Sequence, residues 1–138
     1  MTIATGVSGD ILEPMRKVSL LFAALAAITG LAIAQDEATL QPLMKSLPPT
    51  VAAIRNAADS AAAKADAEKA ADTFHKIGAF FQTKNMADAV AFAKTGEDAA
   101  TAIAGGGDKA ANLMKLQGAC GGCHGAHREG AAPNFKLK

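Results

Sequence analysis

The segment GGGDKAANLMKLQGACGGCHGAHR, residues 105–128, decides the fold of this chain. Its three glycines stop any preceding helix, and Asp108 is of a residue type that caps helix N-termini. From Lys109 to about Arg128, apolar residues recur at three- and four-residue spacing, which predicts one amphipathic helix. The apolar face of that helix carries Leu113, Leu116, Cys120 and Cys123.

The same spacing recurs upstream and predicts three more helices. They span roughly Glu37–Ser60, Ala65–Lys84 and Ala87–Ala104, with a break at Asn85 between the second and the third. Four amphipathic helices joined by short connections are typical of an antiparallel up-down-up-down four-helix bundle. The sequence therefore predicts an all-α fold.

Prolines mark two departures from regular helix. Pro48 and Pro49 each lack a backbone donor and crowd the preceding turn, so a kink or break is expected inside the first helix. The tail, residues 130–138, contains Pro133 and is predicted to be irregular.

Composition agrees with a helical bundle and limits its partners. The chain has 138 residues, of which 34 are Ala, and it has no Trp and no Tyr. So much Ala favours helix over sheet and leaves the core short of bulky side chains, which suggests that something else fills it. Lys and Arg number 14 against 13 Asp and Glu, a net charge of +1. Without a basic surplus, nucleic acid is not an expected partner.

Residues 15–34, MRKVSLLFAALAAITGLAIA, have the pattern of a signal peptide. Arg16 and Lys17 precede an apolar run, and small residues precede a cleavage site after Ala34. The alternative is a transmembrane anchor, but the run is interrupted and shorter than the roughly 20 residues that a span needs. We therefore expect export to the periplasm, with no membrane span after cleavage.

This interpretation divides the chain into two parts. Residues 1–34 comprise an N-terminal extension and the cleaved signal peptide, and residues 35–138 form the four-helix domain. Residues 1–14 carry Asp10 and Glu13, which do not suit a signal peptide, so we expect either that translation starts at Met15 or that the extension is disordered.

Residues 120–124, Cys-Gly-Gly-Cys-His, carry the chemistry. The pattern C-x-x-C-H indicates covalent attachment of one c-type haem. On a helix the first, fourth and fifth positions share a face, so Cys120 and Cys123 can form thioethers while His124 reaches the iron. Covalent attachment also explains two cysteines in an exported protein, where free thiols tend to oxidise.

Three other uses of Cys120, Cys123 and His124 agree less well with the sequence than haem attachment does. A structural zinc site needs a fourth ligand, and no second Cys/His pair exists in the sequence. A thioredoxin-like redox pair requires a βαβ context, which a helical chain does not provide. A disulfide between Cys120 and Cys123 closes a very short loop and stabilises little.

The motif's place on the last helix resembles that of the class II c-type cytochromes, the cytochrome c′ family. The resemblance spans residues 35–138 and includes His127-Arg128, where the family has a basic residue four positions after the haem His. It implies a four-helix bundle, either monomeric or dimeric, with haem on the last helix. It also implies that the residue facing the other side of the iron comes from the first helix, because too few residues follow His124 to cover that side.

In the family, a Met on the first helix gives a six-coordinate electron carrier, and an apolar residue gives a five-coordinate protein that binds small gases. Met44, on the apolar stripe of helix one, is the candidate for the sixth iron ligand. Leu43 and Leu47 flank it and are the candidates for an apolar lid. We expect a non-enzymatic electron carrier with His124 proximal and Met44 distal; the alternative is a protein that binds NO or CO.

Other candidates are weaker. Arg128 and Arg55 are candidates for contact with the haem propionates, with a solvated surface role as the alternative. Met86 lies at a helix junction and Met114 on the haem helix itself. His75 is the only remaining His that could serve a haem enzyme such as a peroxidase, and nothing in the sequence places it at the iron. The sequence does not identify the redox partner protein.

Overall fold

The computed structural model describes residues 37–130 and 136–138, and four helices account for most of them. Helix α1 spans Glu37–Asn56, α2 Ser60–Thr83, α3 Ala87–Ala104 and α4 Lys109–His127. Each helix packs closely against the next one along the chain. The predicted all-α four-helix bundle is confirmed.

Polar side chains and special backbone conformations set the helix ends. The Asp108 carboxylate accepts a hydrogen bond from the backbone N–H of Ala111 at 3.0 Å, so the predicted cap is confirmed. Asn85 has φ +56°, a left-handed conformation that Asn tolerates and that ends the second helix. Asp59 caps α2 through the N–H of Ala62, so that helix begins at Ser60 instead of the predicted Ala65.

Helix α1 runs without a break through Pro48 and Pro49, so the predicted break is wrong. Both prolines lie on the exposed side of the helix. On the exposed side of a helix, water can hydrogen-bond to carbonyls that a proline leaves without a helical partner, which lowers the free-energy cost of the missing hydrogen bonds. Helix α1 ends at Asn56, four residues before the predicted end.

Small residues allow the helices to approach closely. Eight buried alanines lie in the described core, and its largest fully buried side chains are Phe80, Phe81, Ile54, Ile103 and Leu116. Gly96 of α3 lies directly under the ring of Phe74 of α2, where a Cβ would come within 2.5 Å of a ring carbon. The absence of a side chain at this position is what allows the ring to pack between the two helices.

The tail is less irregular than predicted. Strand β1, Arg128–Glu129, pairs antiparallel with strand β2, Lys136–Leu137. The Lys138 N–H also donates to the His127 carbonyl at 2.9 Å, which ties the C-terminus to the end of α4. After α4, the chain therefore turns back toward the Cys120–His124 segment.

The predicted N-terminal extension and the predicted signal peptide lie outside the described residues. The signal peptide and the extension, residues 1–34, precede the first described residue, as does the cleavage site after Ala34.

Candidate functional site

A cavity of about 360 Å³ lies between α1 and α4, the first and last helices of the bundle. Its volume is in the usual range for small-molecule and cofactor sites, about 300–1,000 Å³. Helix α1 contributes Leu40, Gln41, Met44, Lys45 and Pro48, and α4 contributes Cys123, His124 and His127. The helix pairs that pack closely are consecutive ones, and α1 with α4 is not among them, which leaves room for this cavity.

The remaining wall is formed by one core residue and the tail. Phe81 of α2 lies at the base, and Arg128, Lys136 and Leu137 come from the two-stranded tail. The tail was expected to be too short to reach over the site. Leu137 in fact packs against the core and lines the cavity, because β2 folds back along the end of α4.

The three motif residues lie together on one face of α4. Cys123 is buried, whereas Cys120 and His124 are half-buried. All three line a second, much smaller cavity of about 20 Å³ toward α2 and α3, and Cys123 and His124 line the large cavity as well. The predicted grouping of these side chains on one face agrees with the structure.

Both cysteines are free in the structure, and burial raises the pKa of each. For Cys123, the neighbouring Cys120 and Asp88 raise the pKa further. The two sulfur atoms are therefore protonated thiols at neutral pH. Protonated thiols are less reactive toward oxidants than thiolates.

His124 is held as a neutral imidazole. Burial lowers its pKa below the ordinary value of 6.5, and the nearby Arg128 guanidinium lowers it further. One guanidinium nitrogen of Arg128 lies 3.5 Å from His124 Nδ1, at the outer limit of a hydrogen bond. A neutral imidazole is the form that binds a metal ion.

Among the described residues of α1, Met44 is the one that lines both cavities together with Cys123 and His124. It is half-buried and lines both the large and the small cavity, each of which also contains Cys123 and His124. Leu43 and Leu47, the predicted apolar lid, line neither cavity, and Leu47 is buried in the core. Leu40, one turn before Met44, is the leucine that lines the cavity.

The two glycines inside the motif have different surroundings. A Cβ on Gly122 would lie 2.5 Å from a ring carbon of Phe92 of α3, whereas one on Gly121 would meet nothing within 4 Å. Gly122 thus allows α4 to pack on Phe92 beside the small cavity, which Phe92 also lines. The close neighbour of Gly122 is therefore Phe92.

His127 is a site residue whose position the sequence only suggested. Its ring lines the cavity and lies against Phe81, with the ring centroids 6.4 Å apart. Its buried Nε2 is 2.9 Å from a carboxylate oxygen of Asp88, within ion-pair distance, but the angle is not that of a hydrogen bond. The spacing of three residues from His124 was the signal for a place at the cavity edge; nothing in the sequence indicated Asp88.

Several weaker candidates lie away from the cavity. Met114 is 74% exposed. His75 is also exposed, and its Nδ1 lies 3.2 Å from Glu97, as expected for a surface His. Arg55 is at the opposite end of the bundle, where its carbonyl accepts from Lys109. Since Lys109 is 15 residues before His124, about 22 Å along the helix, Arg55 is too far away to contact haem propionates.

The side chains that border the site have the chemistry needed to hold a covalently attached haem. Two neighbouring thiols, a neutral imidazole and a Met side chain border one largely apolar cavity between two helices. In residues 37–130 and 136–138, Cys120, Cys123 and His124 included, no group of three Cys, His, Asp or Glu side chains is arranged to hold a metal ion. The zinc alternative therefore finds no complete set of ligands there.

Comparisons with known proteins do not extend these findings. No family model, curated protein or solved structure matches the chain. In the described part of the chain, none of the helices has both the length and the apolar character needed to cross a membrane.

Proposed function

We propose that the protein is a periplasmic monohaem c-type cytochrome that carries electrons and is not an enzyme. The observation that supports this most directly is the position of Met44 and His124, which come from opposite walls and border the same two cavities. Haem iron supplies reversible one-electron exchange between its ferric and ferrous states. The chain's own residues determine how the group is held and what can reach it.

Cys120 and Cys123 attach the group. Each thiol adds across one vinyl group, with sulfur bonding to one carbon and the thiol hydrogen transferred to the other, so no oxidant is required. Their raised pKa values keep that hydrogen on sulfur at neutral pH. Burial of Cys123 also protects the thioether from solvent.

His124 serves as the proximal ligand. His124 lines both cavities, so its ring would reach a group bound there, and the Arg128 guanidinium lies 3.5 Å from its Nδ1. The lowered pKa means that little free energy is needed to deprotonate the ring before it binds.

Met44 serves as the distal ligand. With both His124 and Met44 bound, the iron would have a raised reduction potential and no open position for a gas. In the alternative, Met44 would not bind the iron, and the position would stay open to a gas. That alternative, with NO or CO as ligand, is the other outcome of the test below.

The visible spectrum of the reduced, haem-loaded protein, with and without carbon monoxide, tests this proposal. We expect a low-spin spectrum that carbon monoxide does not change. The variant Met44→Leu is expected to become high-spin and bind carbon monoxide, whereas the control Met114→Leu, at an exposed position, is expected to behave like the unchanged protein.

Each other outcome has a defined meaning. A high-spin unchanged protein that binds carbon monoxide would replace the electron carrier with the gas-binding alternative. A Met44→Leu variant that stays low-spin would show that another side chain is the ligand. Absence of covalent haem, in a host able to attach it, would refute both functions.

A further inference from the structure

One side of the large cavity is cationic. Lys45 of α1, Arg128 of β1 and Lys136 of β2 all line it, although they are far apart in the sequence. None of the described residues that line the cavity is Asp or Glu. Three elements thus bring three positive charges to one apolar space.

Three lysines of the described residues form ion pairs within their own helix, and Lys45 and Lys136 are among the lysines that do not. Lys64, Lys76 and Lys94 each lie within 4 Å of a carboxylate one helical turn away. In the described residues, neither Lys45 nor Lys136 has a carboxylate within that distance, even though Glu129 is opposite Lys136 in the tail ladder.

Clustered cations beside an apolar wall are most stable when an anion lies among them. The cavity therefore suits a molecule with an apolar body and carboxylates along one edge. A haem has this form, because its two propionates lie on the edge opposite the vinyl groups that bind cysteine.

We propose that Lys45 and Lys136, together with Arg128, hold the propionates of the haem attached at Cys120 and Cys123. This inference rests on the proposed function and adds two cofactor-binding residues to it. A protein partner with an acidic surface is the competing occupant. The propionates are favoured because the three side chains, although exposed, all line the large cavity, which also contains Cys123 and His124.

The test compares the double variant Lys45→Gln/Lys136→Gln with the control Lys69→Gln/Lys115→Gln, in haem-loaded protein. The control removes the same charge at exposed positions away from the cavity. The readouts are the propionate bending band in the resonance Raman spectrum and the midpoint potential, measured with small mediators and no protein partner.

We expect the propionate band to shift in the cavity variant and not in the control. Loss of nearby positive charge favours ferric iron, so the potential is expected to fall relative to the control. The expected change in the ratio of oxidised to reduced protein is about tenfold, or about 59 mV for a one-electron couple. Lys45→Arg/Lys136→Arg, which keeps the charges, is expected to retain the original band and potential.

The failures can be distinguished. If no variant, nor the unchanged protein, attaches haem, the proposed function itself fails. If haem attaches and the cavity variant matches the control in both readouts, this inference is wrong and the proposed function stands. A third outcome is that the band and the potential stay unchanged while electron exchange with an acidic protein becomes slower and depends on salt. That outcome would assign the two lysines to docking of a protein partner and would also overturn this inference. Should the double variant fail to fold, the single variants Lys45→Gln and Lys136→Gln give the same two readouts.

Discussion

Replacing Gly121 or Gly122 with Ala gives a sharp test of how α4 packs, because the two glycines are adjacent and differ in one respect. A methyl group at Gly122 meets three ring carbons of Phe92 at 2.5, 2.9 and 3.1 Å, whereas one at Gly121 meets nothing within 4 Å. Both substitutions lie inside the same helix and bring the same gain in helix propensity, about 1 kcal/mol. The difference in stability between the two variants therefore isolates the clash.

The size of that clash follows from the surroundings of Phe92. The ring borders a cavity of only about 20 Å³, which offers little space for it to move. Overpacking of this kind typically costs about 1–3 kcal/mol. After the propensity gain, we expect Gly122→Ala to range from nearly neutral to about 2 kcal/mol destabilised, and Gly121→Ala to be about 1 kcal/mol more stable than the unchanged protein.

Urea unfolding, followed by far-ultraviolet circular dichroism in the same cofactor state for all samples, measures this difference. With a denaturant dependence of about 2 kcal/mol per molar urea, the midpoints of the two variants are expected to be about 0.5–1.5 M apart. Equal midpoints, or a more stable Gly122→Ala, would refute the packing of Gly122 against Phe92.

Three further predictions follow from the helix ends, the core and the haem ligand. Asp108→Ala removes the cap on the Ala111 N–H and is expected to lower the free energy of unfolding by about 1 kcal/mol, measured by urea titration; no change would exclude a capping role. Gly96→Ala places a methyl group 2.5 Å from the Phe74 ring, and we expect it to lower the melting temperature, whereas Gly121→Ala, whose methyl group meets nothing within 4 Å, is not expected to do so. Burial lowers the pKa of His124, so below about pH 6.5 the unfolded chain binds a proton that the folded, haem-free chain does not. The free energy of unfolding of the haem-free chain should therefore fall as the pH drops through that range. The variant His124→Gln should make the free energy of unfolding depend less steeply on pH.

Most of the helical framework could be predicted because its signals are local. The residues Asn85 and Asp108 mark helix ends through their own backbone and side-chain chemistry, and both act as predicted. Pro48 and Pro49 misled the prediction because the cost of a proline depends on whether water reaches the freed carbonyls, which is a property of the folded surface.

The site was predictable to the extent that it is encoded in contiguous residues. Cys120, Cys123 and His124 share a face because of helical spacing alone, and Met44 was expected on the stripe that faces them. The contact between His127 and Asp88 joins two helices and leaves no trace in either segment. The return of Lys136 to the cavity depends on ladder hydrogen bonds between two short strands, for which two residues of sequence provide too weak a pattern.

The gap between α1 and α4 has a consequence for the order in which the molecule matures. Helices α1 and α4 each pack closely on one neighbour, α2 and α3 respectively, and the contact of α1 with α2 is the less extensive of the two. Release of α1 is thus the cheapest way to open the protein, and it uncovers the buried Cys123 without disturbing the rest of the bundle. In the proposed cytochrome, Cys123 would have to react with a large planar group before it is enclosed, and release of α1 would provide that path. Among the four described helices, α1 would then be the last to take its final position.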